Sequence, residues 1–223
     1  TGYTNIPCPI NSDIGGKLKQ GQRRRVLTDD ELSELLPWMY NYSETVRDVL
    51  TLTLYTGLRS GEVCRLKDDW LVEGVEAWSI VISSHEMKIP HADHVVPLVG
   101  RALEIARKRR GSGYWFKSRT GGHIKQKVLG VEVYSHSGRS KAKTYKAQTI
   151  CPVVDWSPND LRKTARTHLA KLKCPYEIGE KILHHKLLGV AGLYNQYNYE
   201  EERREWLITL GDHFDRLGGQ TYE

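Results

Sequence analysis

Two arginines stand where helices should begin: Arg59 in Thr56-Gly57-Leu58-Arg59-Ser60-Gly61-Glu62, and Arg162 in Ser157-Pro158-Asn159-Asp160-Leu161-Arg162-Lys163-Thr164. Downstream come His185 and, nine residues later, Tyr194. A guanidinium offers a planar fork of N–H donors that matches two phosphate oxygens, so two of them can grip one phosphodiester. A histidine can hydrogen-bond the same group, and a phenol can be presented to its phosphorus.

Taken singly, each residue has a plainer reading. Arg59 and Glu62 sit at i,i+3, the spacing of a surface ion pair, although Glu62 is also placed to orient the guanidinium. Asn159, Arg162 and Arg166 at i, i+3 and i+7 share one helix face opposite a Leu161 stripe, and such faces are usually just solvated. His185 suits a helix end near the negative pole of the dipole. Tyr194, beside Leu193 and Val190, reads equally well as core.

The order of these residues resembles the catalytic half of the tyrosine recombinases, a family encoded by phages and genomic islands. Thr56 to Glu62 is similar to the family's first arginine box, Asp160 to Thr164 to its second, and Leu183 to His185 with Tyr194 to its third. Lys88, shortly before Val96-Pro97-Leu98, matches the hairpin lysine, and the tail Glu201 to Leu207 looks like the genomic-island branch. The resemblance covers residues 26–216 and implies a tyrosine-recombinase catalytic domain there, after a basic linker or arm (1–25) and before a short tail (217–223).

The resemblance implies a site-specific integrase that cleaves and rejoins DNA through a 3′-phosphotyrosyl intermediate. In it Tyr194 is the nucleophile, in preference to Tyr197 or Tyr199. Arg59 and Arg162 stabilise charge on the phosphate, Lys88 is the general acid, and His185 assists at the phosphate. One position departs from the pattern: Asn159 stands where the second box usually opens with histidine. Asparagine can donate a hydrogen bond but cannot hold a proton near neutral pH. A type IB topoisomerase and a non-catalytic DNA-binding relative are the competing readings.

The elements that would carry these residues are mostly helical. Thr28-Asp29-Asp30-Glu31 is a capping box ahead of Leu32, Leu35, Leu36 and Met39. A second helix runs from near Ser43 to Gly57, and a short one covers Ser60 to Leu66. Trp78 to Ile82 and His94 to Leu98 read as strands, with Tyr114 to Phe116 a further short one. Residues 100–110 are helical, and 117–150 are too polar and Gly/Lys-rich to assign. Ser157-Pro158 opens a helix with Leu161, Ala165, His168, Leu169 and Leu172 facing inward. Helices near 175–184, 189–197 and 199–216 complete a mostly α domain with one small antiparallel β-sheet (α+β).

The chain has 223 residues, with 33 Lys and Arg against 27 Asp and Glu, a net charge of +6 that favours a polyanionic partner. No stretch approaches the roughly 18 apolar residues of a membrane span. Cys8, Cys64, Cys151 and Cys174 are scattered, as reduced thiols of a bacterial cytoplasm would be. The start at Thr1 reads as a cut from something longer, without room for the separate DNA-binding domains that family members carry.

Expected partners are double-stranded DNA attachment sites, other recombinase protomers on that DNA and accessory DNA-bending proteins, with no membrane, at the nucleoid. Arg23, Arg24, Arg25 and Arg166 are the further DNA-contact candidates. No cofactor is expected, because cationic side chains supply the charge a metal would bring. His91-x-x-His94 lacks a third clear ligand. The segment from 189 on is expected to be weakly held, its Trp206, Leu207, Leu210 and Phe214 stripe free to dock on a neighbouring protomer.

Overall fold

The computed structural model describes residues 25–75, 77–87, 92–139, 149–185 and 198–219. Arg23, Arg24, Lys88, His91, Tyr194 and Tyr197 lie outside these residues, as does the helix expected over 189–197.

Helix α1 (Asp29–Trp38) starts on the expected capping box: Thr28 Oγ1 accepts from the Glu31 N–H at 3.2 Å, and Glu31 Oε2 accepts from the Thr28 N–H at 3.0 Å. Helix α2 (Glu44–Thr56) is capped by Ser43 and ends at Gly57, whose φ of 70° lies in the left-handed region. Leu50, Leu52 and Leu54 are fully buried, so α2 runs through the centre of the domain, packed against neighbours on several sides. Helix α3 is a single turn, Ser60–Val63.

A three-stranded antiparallel sheet follows in the order β1 (Leu71–Glu73), β2 (Trp78–Ile82), β3 (His94–Leu98), with Ile80 opposite both Leu71 and Val96. The two longer strands have the bounds expected from the sequence; β1, with only three residues, was not foreseen. Ile80, Ile82, Val96 and Leu98 turn one face of the sheet to the core.

Helix α4 (Gly100–Arg109) is tied to α2 where Arg109 Nη2 meets the buried Asp48 carboxylate at 2.6 Å. The strand expected at Tyr114 to Phe116 does not form. Tyr114 makes one bridge to Lys67, while Trp115 and Phe116 are core side chains on an irregular segment. Helix α5 (Gln126–Ser135) lies in the region left unassigned. Helix α6 (Pro158–Lys171) starts at a Ser157/Asp160 capping box.

Helix α6 has no broad solvated face: Asp160, Leu161, Arg162, Thr164, Ala165, His168 and Leu169 are all buried. The expected polar stripe through Asn159, Arg162 and Arg166 therefore faces protein, with Asn159 alone exposed. Helix α7 (Tyr176–Ile182) and helix α8 (Glu200–Leu217) close the described chain.

Helix α8 corrects the expectation of a weakly held tail. Leu207, Leu210 and Phe214 are 1%, 0% and 0% exposed within the chain's own core, so that stripe is already used. Asp215 accepts from Tyr55 Oη at 2.7 Å and pairs with Arg101, and Arg203 Nη1 donates to the Val95 carbonyl at 2.6 Å. Five helices and β3 pack against α8, more than a loosely docked arm would engage. Cys64, Cys151 and Cys174 are free buried thiols.

Candidate active site

Arg162 emerges from the second turn of α6 into a gap between the end of α2 and the end of α7. Its Nη1 donates to the Gly57 carbonyl at 2.5 Å, and its Nη2 donates to the Leu183 carbonyl at 2.6 Å and to His185 Nε2 at 3.1 Å. The two carbonyls belong to helix ends, where backbone acceptors lack partners within the helix. Only 9% of Arg162 is exposed, and burial first, then the nearby charge of Arg59, pushes its pKa down to about 10. It stays cationic at neutral pH, rigidly held.

Arg59 caps the first turn of α3. Its Nη1 donates to Glu62 Oε1 at 2.7 Å, and its backbone N–H donates to Glu62 Oε2 at 3.0 Å. Glu62 is 3% exposed, so it is a buried carboxylate orienting a half-exposed guanidinium rather than half of a surface pair.

His185 is placed by the way α7 stops. His184 takes a left-handed φ of 54°, its N–H donates to the Lys181 carbonyl at 3.1 Å, and the His185 N–H donates to the Glu180 carbonyl at 2.9 Å. That pair of bonds is a Schellman ending, here with histidine where glycine is usual. Because Nε2 accepts from Arg162, the neutral ring carries its proton on Nδ1, which donates to Glu180 Oε2 at 2.8 Å. Glu180 Oε1 in turn accepts from Arg166 Nε at 2.7 Å. Burial alone would raise the Glu180 pKa, but the hydrogen bonds from Arg166 and His185 outweigh it and hold the carboxyl below its ordinary range.

The result is a continuous relay: Arg162, His185, Glu180, Arg166. Glu180 was missing from the sequence reading, and a lone glutamate on a seven-residue helix carries no signal of such a role. Arg166, expected as a DNA contact, is here a partner of Glu180. It is committed to Glu180 and lies over the Tyr176 ring, its side chain 20% exposed. Arg25 is paired with Glu31 and donates from Nε to the Asp155 carbonyl at 3.2 Å.

Asn159, at the edge of this group, belongs to a second network. Its Oδ1 accepts from Ser60 Oγ at 2.7 Å and from Gln126 Nε2 at 3.0 Å, and Gln126 Nε2 also lies 2.8 Å from Ser60 Oγ. With the amides assigned from this network, the Asn159 amide N–H2 has no partner among the described residues. Gln126, the first residue of α5, was also missed. His94 serves the fold: it is buried, stacks on His184 with ring centroids 4.4 Å apart, and donates from Nε2 to the Ile182 carbonyl at 3.2 Å.

One sheltered arginine, one half-exposed arginine and a histidine of fixed tautomer, converging beside helix ends, form a site suited to an oxyanion such as a phosphodiester. The sequence profile described as the phage integrase family matches residues 25–201, and the chain belongs to that family. Among curated proteins, none matches the sequence.

Similar folds occur in an integrase from mycobacterium phage Brujita (TM-score 0.63, 20% identity, 89% of this chain and 63% of that one). They also occur in the Tn1549 transposon integrase in complex with transposon right-end DNA (TM-score 0.54, 16% identity, 83% and 66%). A third is the catalytic core of lambda integrase (TM-score 0.51, 14% identity, 75% and 95%). The chain thus spans 63% and 66% of the first two but corresponds to 95% of the lambda core. No helix among the described residues is long and apolar enough to cross a membrane.

Proposed function

We propose that this chain is the catalytic part of a site-specific DNA recombinase that integrates or excises a mobile element in a bacterial cell. Its substrate would be a double-stranded attachment site, bound together with other protomers. The observation that carries this reading is the fixed Arg162–His185–Glu180 relay beside Arg59, within a chain of the phage integrase family.

In the proposed reaction the Tyr194 phenolate oxygen attacks the scissile phosphorus and forms a P–O bond to tyrosine. The bond to the 5′-oxygen breaks, and Lys88 donates the proton that oxygen needs to leave as a hydroxyl. The phosphodiester is conserved as a 3′-phosphotyrosine, so a second 5′-hydroxyl reverses the step without a nucleotide triphosphate. Arg59 and Arg162 meet charge on the non-bridging oxygens, where one donor is typically worth about 10²–10³ in rate. His185, its ring oriented by Glu180 and its Nε2 beside Arg162, would assist at the phosphate. The Asn159 amide adds a hydrogen-bond donor at the place where relatives more often carry histidine.

The test is covalent capture from a pool of nicked duplexes of randomised sequence, reading protein–DNA adducts that survive denaturation. An adduct that forms with the wild-type chain and is absent in Tyr194→Phe supports the reading. No adduct from any duplex, or one that persists in Tyr194→Phe, overturns it. Relaxation of a supercoiled plasmid without strand exchange between paired sites would identify a topoisomerase instead.

A further inference from the structure

Three helices bring a histidine pair and a carboxylate to one point, away from the relay described above. His168 Nδ1 of α6 lies 3.1 Å from His213 Nε2 of α8, and each lies 3.5 Å from Asp29 Oδ1 at the start of α1. A tetrahedral ion with bonds of about 2.0–2.1 Å needs ligand-to-ligand edges of roughly 3.3 Å. The three atoms already stand at that spacing, with no side chain needing to move.

The surroundings fit ligation. His168 Nε2 lies 3.1 Å from the Leu27 carbonyl, which can only accept, so the proton sits on Nε2 and the Nδ1 lone pair faces the cluster. A ring fixed by a backbone carbonyl in this way is the usual outer-shell arrangement of a metal-bound histidine. Asp29 Oδ1 is buried without a hydrogen-bond partner, while its other oxygen is held by Lys171. An orphaned carboxylate oxygen aimed at two imidazole nitrogens is costly unless something cationic completes it. His168 and His213 are largely buried, and the Phe214 ring, 5.4 and 5.7 Å from theirs, walls the point on an apolar side.

We propose that Asp29, His168 and His213 form a structural site for a divalent transition ion of the zinc type, which staples α8 to α1 and α6. Two imidazoles and one carboxylate suit zinc and its neighbours and are poor for calcium or magnesium, which demand oxygen ligands. With three protein ligands the fourth position is left to solvent. The ion would hold the helix that begins six residues after Tyr194 against the helix bearing Arg162, some 9 Å further along α6. It takes no part in phosphate chemistry, and the proposal stands whether or not the recombinase reading does.

The full chain, stripped with a chelator and then desalted, is titrated with cobalt(II). One equivalent should give the visible absorption of a four- or five-coordinate ion, should be displaced by zinc(II), and should raise the melting temperature as zinc(II) is added. His213→Asn and Asp29→Asn should both lose the absorption and the zinc-dependent shift. Asp29→Asn is the check should His213→Asn not fold, since it keeps the helix and the buried histidines. His185→Ala should keep both signals, separating this cluster from the His185–Glu180 pair. Absence of the absorption in the wild type, leaving only a proton shared between the two rings, overturns the proposal, as does binding that survives in Asp29→Asn.

Discussion

Glu180 accepts a 2.8 Å hydrogen bond from His185 Nδ1, and the four residues between them include the left-handed His184 that ends α7. The same turn that stops the helix thus brings its own glutamate under the ring it exposes. A carboxylate so placed decides which nitrogen faces Arg162. Glu180→Ala should slow adduct formation about 10²-fold, the lower end for a group in general acid–base work, and displace the acid limb of its pH profile. If only the melting temperature changes, with adduct rate and profile intact, Glu180 is merely structural.

Arg162→Lys should be no conservative change. A lysine offers a point charge in place of a fork, so the Gly57 and Leu183 carbonyls and His185 cannot all be met. Each buried acceptor left unpaired costs about 1–3 kcal/mol. The variant should melt lower and lose adduct formation by at least about 10²-fold. Glu62→Gln, assayed beside it, should weaken activity with less loss of stability, because the amide oxygen still accepts from one of the two Arg59 donors.

Gly57 is required twice over. Its φ of 70° disfavours any side chain, and a Cβ there would stand 3.2 Å from Leu183 Cδ1, against the residue whose carbonyl holds Arg162. Gly57→Ala should therefore destabilise the fold by about 1–3 kcal/mol, seen in urea unfolding, and lower adduct yield beyond that by shifting Leu183.

These residues also mark what the sequence disclosed. Helix starts were legible because capping boxes are local: Thr28 with Glu31 and Ser157 with Asp160 satisfy their own backbone donors. Strands β2 and β3 were legible as short runs rich in β-branched residues. Helix α5 was not, since it buries few apolar side chains (Leu129 and Val133) and has Lys125 where a capping side chain would stand. Trp115 and Phe116 looked like a strand because they are hydrophobic, but they are buried without a ladder.

In the site, order along the chain pointed to Arg59, Arg162 and His185, which the fold brings into one neighbourhood. Glu180, Gln126 and the commitment of Arg166 depend on which helix lies opposite, and no local pattern records that. The docking stripe on α8 failed for the same reason, because amphipathicity names an apolar face without naming its partner.

His94 should make stability depend on pH. Burial first, then the charges of His184, Arg162 and Arg203, hold its pKa well below the ordinary imidazole range, against the opposing pull of the Ile182 carbonyl. The unfolded chain takes up this proton near pH 6.5 while the folded chain refuses it. Unfolding is therefore proton-linked below about pH 6.5, and stability falls as pH drops, by up to about 1.4 kcal/mol per unit, until folded His94 itself protonates. His94→Gln keeps a donor for Ile182 and removes the titration. Its urea midpoint should change less between pH 7.5 and 5.5 than the wild type's. His213 is also held low by burial, so the difference between the two proteins is the quantity to read.

Asn159 offers the sharpest test at the proposed site, because its two ends do different things. The oxygen is occupied by Ser60 Oγ at 2.7 Å and Gln126 Nε2 at 3.0 Å, and the amide N–H2 is the group left to meet a phosphate. Asn159→Asp keeps an oxygen for both donors, so folding should be little altered. It replaces the outward donor with negative charge, which repels a phosphodiester. Adduct yield should fall by about 10²–10³, the cost of losing one oxyanion donor. Asn159→His restores a donor together with a group able to hold a proton, and adduct formation should persist or rise, more so toward acid pH. Gln126→Ala should give an intermediate loss, since it frees the amide to turn without removing it. If Asn159→Asp forms adduct at the wild-type rate, the outward amide does not touch the phosphate, and the Ser60–Gln126–Asn159 network serves only to join α3, α5 and α6.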